Sequence, residues 1–238
     1  MPSDDTFEQK WQRIDRRRAG RTVLGIPLRF ALFLFLPAGT IAWMRGWLFV
    51  LISLAATAAA LGCLWRLNPE VVIARSHYHA ETKRWDKILL CCFYLPAMLS
   101  ILLVAGLDDG HFHWFPVPWW VCALGYVLLL LGFGLFTWAE AVNKFFEQTV
   151  RIQSERGQRV IDSGPYAIVR HPGYMAAVLI AFGTALSLGS LWALIPAAIS
   201  SLLLILRTKW EDQTLQQELA GYKEYTEQVR YRLIPSAW

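Results

Sequence analysis

Residues 117–138 read Val-Pro-Trp-Trp-Val-Cys-Ala-Leu-Gly-Tyr-Val-Leu-Leu-Leu-Leu-Gly-Phe-Gly-Leu-Phe-Thr-Trp, without one charged side chain. A helix over this run is long enough to cross the roughly 30 Å hydrocarbon core of a bilayer. Outward from it, apolar runs occupy 26–44, 47–66 and 88–107 on one side and 173–188 and 191–206 on the other. The chain has 238 residues, of which 55% are hydrophobic, more than a soluble domain of this length needs. The sequence therefore predicts an all-α polytopic membrane protein with about six transmembrane helices. Arg45-Gly46 marks the break between the first two runs. The last two runs are short and are expected to form a close hairpin around Leu188-Gly189-Ser190.

Lys and Arg fill the polar arm 1–25, the loops 67–87 and 144–170, and the tail from Arg207. The connections at 45–46, 108–116 and 188–190 hold almost none. By the positive-inside rule both termini and both long loops are expected to be cytoplasmic. The net charge of +5 then reflects topology and anionic headgroups, and no nucleic-acid partner is expected. Phe7, Trp11 and Ile14 recur at helical spacing, which suits an interfacial helix in the arm. Cys63, Cys91, Cys92 and Cys122 lie in or beside apolar runs without CxxC spacing, as small buried residues do. The pairs His77/His79 and His111/His113 fall on opposite membrane sides in this topology, so no shared metal is expected.

The longest polar interval between apolar runs contains residues 153–174, Gln-Ser-Glu-Arg-Gly-Gln-Arg-Val-Ile-Asp-Ser-Gly-Pro-Tyr-Ala-Ile-Val-Arg-His-Pro-Gly-Tyr. Gly164-Pro165 and Pro172-Gly173 are turn signals, and Pro172 suits the first position of the next helix. Arg170 and His171 then sit beside free backbone N–H groups at a positive helix end, where an anionic ligand group fits. The alternative is a cytoplasmic loop whose Arg and His face lipid headgroups. Glu140, Asn143 and Lys144, at the end of the fourth run, either line a pocket or are interface residues. In the tail, Leu215, Leu219, Tyr222, Thr226 and Val229 recur at helical spacing and predict a cytoplasmic amphipathic helix over about 209–229. If the last span continues into it, Arg207 and Glu211 share one face. Their alternative is an exposed salt bridge contributing about 0.3–0.5 kcal/mol.

Gly164-Pro165-Tyr166, Arg170-His171-Pro172-Gly173-Tyr174, Arg207-Thr208 leading to Glu211-Asp212, and then Tyr222, Tyr225 and Pro235 together resemble the isoprenylcysteine carboxyl methyltransferase family. The related phospholipid N-methyltransferases share its C-terminal half. The resemblance covers about 140–238, and Asn68-Pro69-Glu70 and Trp85-Asp86-Lys87 are similar to bacterial-type members. It implies two parts: a scaffold for the acceptor over 1–138, and a half over 139–238 that binds S-adenosylmethionine. It implies cofactor contacts from Gln153, from the stretch Gln158, Arg159, Val160 and Ile161, from Tyr166, from His171, Pro172, Gly173 and Tyr174, and from Glu211. It assigns Arg207 to a methyl-accepting carboxylate.

The residue chemistry suits that assignment. Arg170 or His171 and the helix N–H groups can take the cofactor carboxylate, Glu211 its ammonium, and Tyr166 and Tyr174 can face the sulfonium or the adenine. Methyl transfer is an in-line displacement that needs alignment. Arg207 and Glu211 are the expected catalytic pair for a lipid-like or prenylated acceptor entering from the bilayer. A prenylcysteine carboxylate, a phospholipid amine and a small apolar acid or thiol all fit the same cofactor half. An NADPH-dependent reductase of the sterol-reductase type shares Arg-His-Pro, and a membrane scaffold would need none of these residues.

Overall fold

The computed structural model describes residues 31–74 and 82–238. Expectations that fall on the arm 1–25 and on His77 and His79 lie outside the described residues. The described elements are helical: α1 over 31–38, α2 Met44–Leu67, α3 Pro69–Ala74, α4 Arg84–Phe112, α5 Trp119–Val142, α6 Pro172–Ser187, α7 Leu194–Glu218 and α8 Tyr222–Gln228.

Among the described residues, α2, α4 and α5 are the helices long and apolar enough to cross a membrane. Much of their surface is apolar and uncovered, as at Leu51, Leu61, Val127 and Leu131. The six-helix expectation is altered elsewhere. The first run does not continue to residue 44: α1 ends at residue 38, and Gly39, with φ +65°, turns the chain. Arg45-Gly46 is no break but lies in the first turn of α2, where Gly46 packs under the Trp43 ring. Asp108 and Asp109 are not in a loop either, because α4 runs through them as a π-helical segment, Gly106–Phe112. Partners distant in sequence make that possible. Trp43 Nε1 donates to Asp109 at 2.7 Å, Arg45 pairs with Asp109, and Ser190 Oγ donates to Asp108 at 2.6 Å.

The expected hairpin of 173–188 and 191–206 is present as α6 and the first half of α7. At 16 residues α6 is about 24 Å long, short of a full crossing. It is an inner helix, with Ala176, Ala181 and Ala185 fully buried. Its backbone lies against that of α5, and small residues permit the approach. A Cβ at Gly183 would fall 2.5 Å from Leu129 N and 2.9 Å from Gly125 O. The core around this pair takes Leu34 from α1, Phe49 from α2 and Ile101 from α4.

The polar end differs most from expectation. No separate helix covers 209–229. Instead α7 continues unbroken from the apolar hairpin to Glu218, the chain turns at Gly221 with φ +79°, and α8 follows. The apolar positions still meet. Leu215, Leu219, Tyr222 and Val229 join Tyr225 and Val160 in a small second core. Continuity of α7 carries Arg207, Glu211 and Asp212 from the apolar core into the polar end on one rigid rod.

Overpacking the α5–α6 contact should be costly while the lipid-facing side of α5 should be tolerant. Gly183→Leu is expected to destabilise by about 1–3 kcal/mol or more, read as a lowered thermal unfolding midpoint in detergent. Gly134→Leu, whose Cβ meets nothing within 4 Å, is expected to leave the midpoint unchanged.

Candidate active site

The segment between α5 and α6 is held in shape by its own side chains. Asn143 caps the turn: its Oδ1 accepts from Phe145 N at 2.9 Å and its Nδ2 donates to Tyr166 Oη at 3.1 Å. Gln153 is buried and fully engaged. Its Nε2 donates to Phe145 O at 2.6 Å, its Oε1 accepts from Arg156 at 2.7 Å, and its backbone N–H reaches Gln158 Oε1 at 2.7 Å. Arg151 forks onto Glu147 through two bonds of 2.8 Å. Those bonds to Glu147 push its guanidinium up from its ordinary value, so it stays charged.

A single buried carboxylate joins this segment to α7 and to the chain after α8. Asp212, with no exposed surface, accepts from Arg170 Nη2 at 3.2 Å, Arg232 Nε at 2.9 Å, Tyr222 Oη at 3.1 Å and Gln216 Nε2 at 2.9 Å. His171 Nε2 lies 3.4 Å from Oδ1. Arg170 Nε is 2.9 Å from Oδ1 as an ion-pair contact but out of line for a hydrogen bond. Burial pushes the Asp212 carboxyl up, but His171, Arg232 and Arg170 outweigh it and hold it below the usual range. Arg170 also donates to Val229 O at 2.9 Å, and the backbone N–H groups of Arg170 and His171 donate to Tyr231 O and Arg232 O at 2.9 Å each. The anion site expected at Arg170 and the following helix end is therefore largely spent inside the protein.

Between the segment 143–161, the start of α6, the polar half of α7 and α8 lies a cleft partly open to solvent. Of the residues named from the sequence, Gln153, Gln158, Arg159, Val160, Ile161, Tyr166, Arg170, His171, Gly173, Tyr174 and Glu211 line it. Pro172 and Arg207 do not. Sequence reasoning passed over Phe145, Phe146, Glu147 and Arg151, which also line the cleft. The signal available was the Phe-Phe-Glu immediately after Asn143-Lys144. Gly173 is where Phe146 fits, since a Cβ there would stand 2.7 Å from its ring. Asn143 lines the cleft, whereas Glu140 is buried behind it, its backbone oxygen taking Asn68 Nδ2 at 2.8 Å.

The cleft walls combine aromatic faces with few uncommitted charges. Burial pushes the phenols of Tyr166, Tyr222 and Tyr225 well above their usual range, so they are neutral donors and π faces, not bases. Tyr174 donates its hydroxyl to Glu211 and stacks on His171 with ring centroids 5.7 Å apart. Arg159 is exposed at the rim and forms no ion pair with a described residue. Arg207 and Glu211 share a face of α7 but do not pair. Arg207 forks onto Asp86, Nε to Oδ1 at 2.7 Å and Nη2 to Oδ2 at 3.0 Å, and its Cζ lies 5.1 Å from the centre of the Tyr174 ring.

The phospholipid methyltransferase family model matches residues 120–220, which hold α5, the segment after it, α6, α7 and most of the cleft. The Arabidopsis thaliana Protein-S-isoprenylcysteine O-methyltransferase B is 24% identical over 176 residues, 73% of this chain and 89% of that protein. An Oryza sativa subsp. indica protein named "Probable protein-S-isoprenylcysteine O-methyltransferase" is 28% identical over 168 residues, 67% of this chain and 85% of its own length.

Asp212 sets an acid-stability prediction. Its folded pKa is depressed, so its contribution is complete above the ordinary aspartate value near 3.8 and is lost as pH falls below it. The wild-type unfolding midpoint is expected to fall between about pH 4 and pH 2, and that of Asp212→Asn to fall less steeply over the same window. At neutral pH Asp212→Ala leaves two arginines without their counter-charge and is expected to cost about 3–5 kcal/mol.

Proposed function

We propose that this chain, a membrane methyltransferase of the isoprenylcysteine carboxyl methyltransferase family, carries a methyl group from S-adenosylmethionine to the carboxylate of a prenylated cysteine. The observation that carries the reading is the position of Tyr174. Its hydroxyl is on Glu211 in the cleft and its ring is against Arg207 outside it, so a donor site and an anion-holding site meet at one side chain. An in-line displacement needs that adjacency.

The cleft suits the cofactor by its donor set: aromatic faces at Phe145, Tyr166 and Tyr222, a carboxylate at Glu211 and a free guanidinium at Arg159. Glu211 takes the ammonium group. Arg159, not Arg170, takes the carboxylate, because Arg170 is committed to Asp212. When bound, S-adenosylmethionine supplies a methyl group whose bond to sulfur breaks as its bond to the acceptor oxygen forms, leaving a neutral thioether and a neutral ester. The residues have no proton to move in that reaction, which matches a site whose phenols are held neutral. An amine acceptor would require a base, and Glu211 already accepts the Tyr174 hydroxyl. The basic loops support a cytosolic position for this end, with the prenyl chain entering from the bilayer beside the apolar helices.

The test pairs binding with product chemistry. Titration of detergent-purified protein with S-adenosylhomocysteine is expected to show a single site. Glu211→Gln, which keeps an acceptor for Tyr174 and removes the charge, is expected to weaken it about tenfold or more, roughly 1.4 kcal/mol. Labelled methyl transferred to S-farnesyl-N-acetylcysteine should be released as methanol by alkali. Transfer only to phosphatidylethanolamine, as alkali-stable label, would replace the carboxylate acceptor with an amine.

A further inference from the structure

Asp86 stands in the Trp85-Asp86-Lys87 stretch, in the first turn of α4, outside both the cleft and the stretch the family model matches. It has no exposed surface. Its Oδ1 accepts from Arg207 Nε at 2.7 Å, and its Oδ2 accepts from Arg207 Nη2 at 3.0 Å and from Val150 N–H at 2.7 Å. Arg207 Nη2 also donates to Gln148 O at 2.7 Å. A ring is thereby closed from Asp86 through Arg207 to Gln148, along the chain to Val150, and back to Asp86. Thr149 and Val150 line the cleft. The ring is strapped further by Lys83 N–H on Val150 O at 3.1 Å and Lys83 Nζ on Glu218 at 2.7 Å.

We infer that Asp86 is a positioning residue of the transfer reaction, holding Arg207 so that one nitrogen is left for the acceptor and tying that arginine to the wall of the cofactor cleft. The inference rests on the carboxylate-acceptor reading above. With Nε and Nη2 bonded, Nη1 makes no hydrogen bond to a described residue and is the nitrogen free for an acceptor oxygen. A guanidinium locked along one edge offers one direction of approach, where a free side chain would offer several.

Charge balance gives Asp86 a second task. Before transfer the acceptor carboxylate and the sulfonium neutralise each other, and Arg207 is neutralised by Asp86. After transfer the ester and the thioether are both neutral, and Arg207 remains paired. Without Asp86 the departing charge would strand a guanidinium that is only 6% exposed, a costly state. Asp86 keeps the site neutral on both sides of the reaction, so the product is not held back by an unpaired cation.

Asparagine and alanine separate the two contacts. Asp86→Asn keeps an oxygen for Val150 N–H and loses the anion, whereas Asp86→Ala loses both. In full-length protein, Asp86→Asn is expected to lower kcat/KM for S-farnesyl-N-acetylcysteine tenfold or more, with S-adenosylhomocysteine affinity within twofold of wild type. Asp86→Ala is expected to lower both. Asp86→Glu, which keeps the charge and moves the fork by one methylene, should fall between wild type and Asp86→Asn. Wild-type kcat/KM in Asp86→Asn overturns the inference, as does a loss of cofactor-product affinity equal to the loss in transfer. If Asp86→Asn does not fold, Asp86→Glu is read by the same two assays, and an equal loss in both, or none, overturns it. Failure of both to fold while Asp86→Asn/Arg207→Gln folds would make the pair purely structural and also overturn it. Absence of transfer by wild type removes the acceptor reading and this inference together; normal wild-type transfer with an unaffected Asp86→Asn removes this inference alone.

Discussion

Asp212 has no contact with water, yet Arg170, Arg232, His171, Tyr222 and Gln216 all converge on it. A carboxylate taken from water at that depth is tolerable because the cations around it supply what the solvent would have. The arrangement has a mechanical result. Arg170 and His171 precede α6, Asp212 is on α7, and Tyr222 and Arg232 belong to α8 and the segment beyond it. One charge therefore fixes the three elements that form the floor and one side of the cleft. The backbone bonds from Arg170 and His171 to Tyr231 and Arg232 run parallel to it and share the load.

The other constraint is the length of α7. A helix that ended where the apolar residues end, near Leu206, would leave Arg207, Glu211 and Asp212 on a separate element with its own freedom. Because α7 is continuous to Glu218, these residues keep their helical phase from the core outwards. Glu211 meets Tyr174 in the cleft, Asp212 turns to the buried cations, and Arg207, one turn deeper, meets Asp86. Three successive functions are sorted by rotation about a single axis, and the inner pair α5–α6 provides the close-packed surface on which that axis rests.

What the sequence made legible was local. Apolar runs without charge located α2, α4, α5 and α6, and Pro172 marked the start of α6 because its fixed φ suits that position. The turn signals brought His171 to notice, the four-residue spacing from Arg207 brought Glu211, and the family resemblance brought Tyr166 and Tyr174; the four gather at one cleft. What escaped was set by distant partners. Asp108 and Asp109 look like loop residues until Ser190, Trp43 and Arg45 are placed beside them. Arg170 looks like a free anion ligand until Asp212 and Val229 O are seen to occupy it. Asp86 and Arg207, 121 residues apart, carry no spacing signal at all. The break in the tail turned on Gly221 and its left-handed φ, where periodicity alone ran straight through.

The central claim is that the cleft takes S-adenosylmethionine with Glu211 on the ammonium group while Arg170 stays with Asp212. A structure determined with S-adenosylhomocysteine bound tests it most directly. The ligand is expected between the segment 143–161 and the Tyr222 face, its amino group on Glu211, its carboxylate towards Arg159, and the Arg170–Asp212 contact unbroken. A ligand seated elsewhere, or Arg170 drawn away from Asp212 onto the ligand carboxylate, would contradict it.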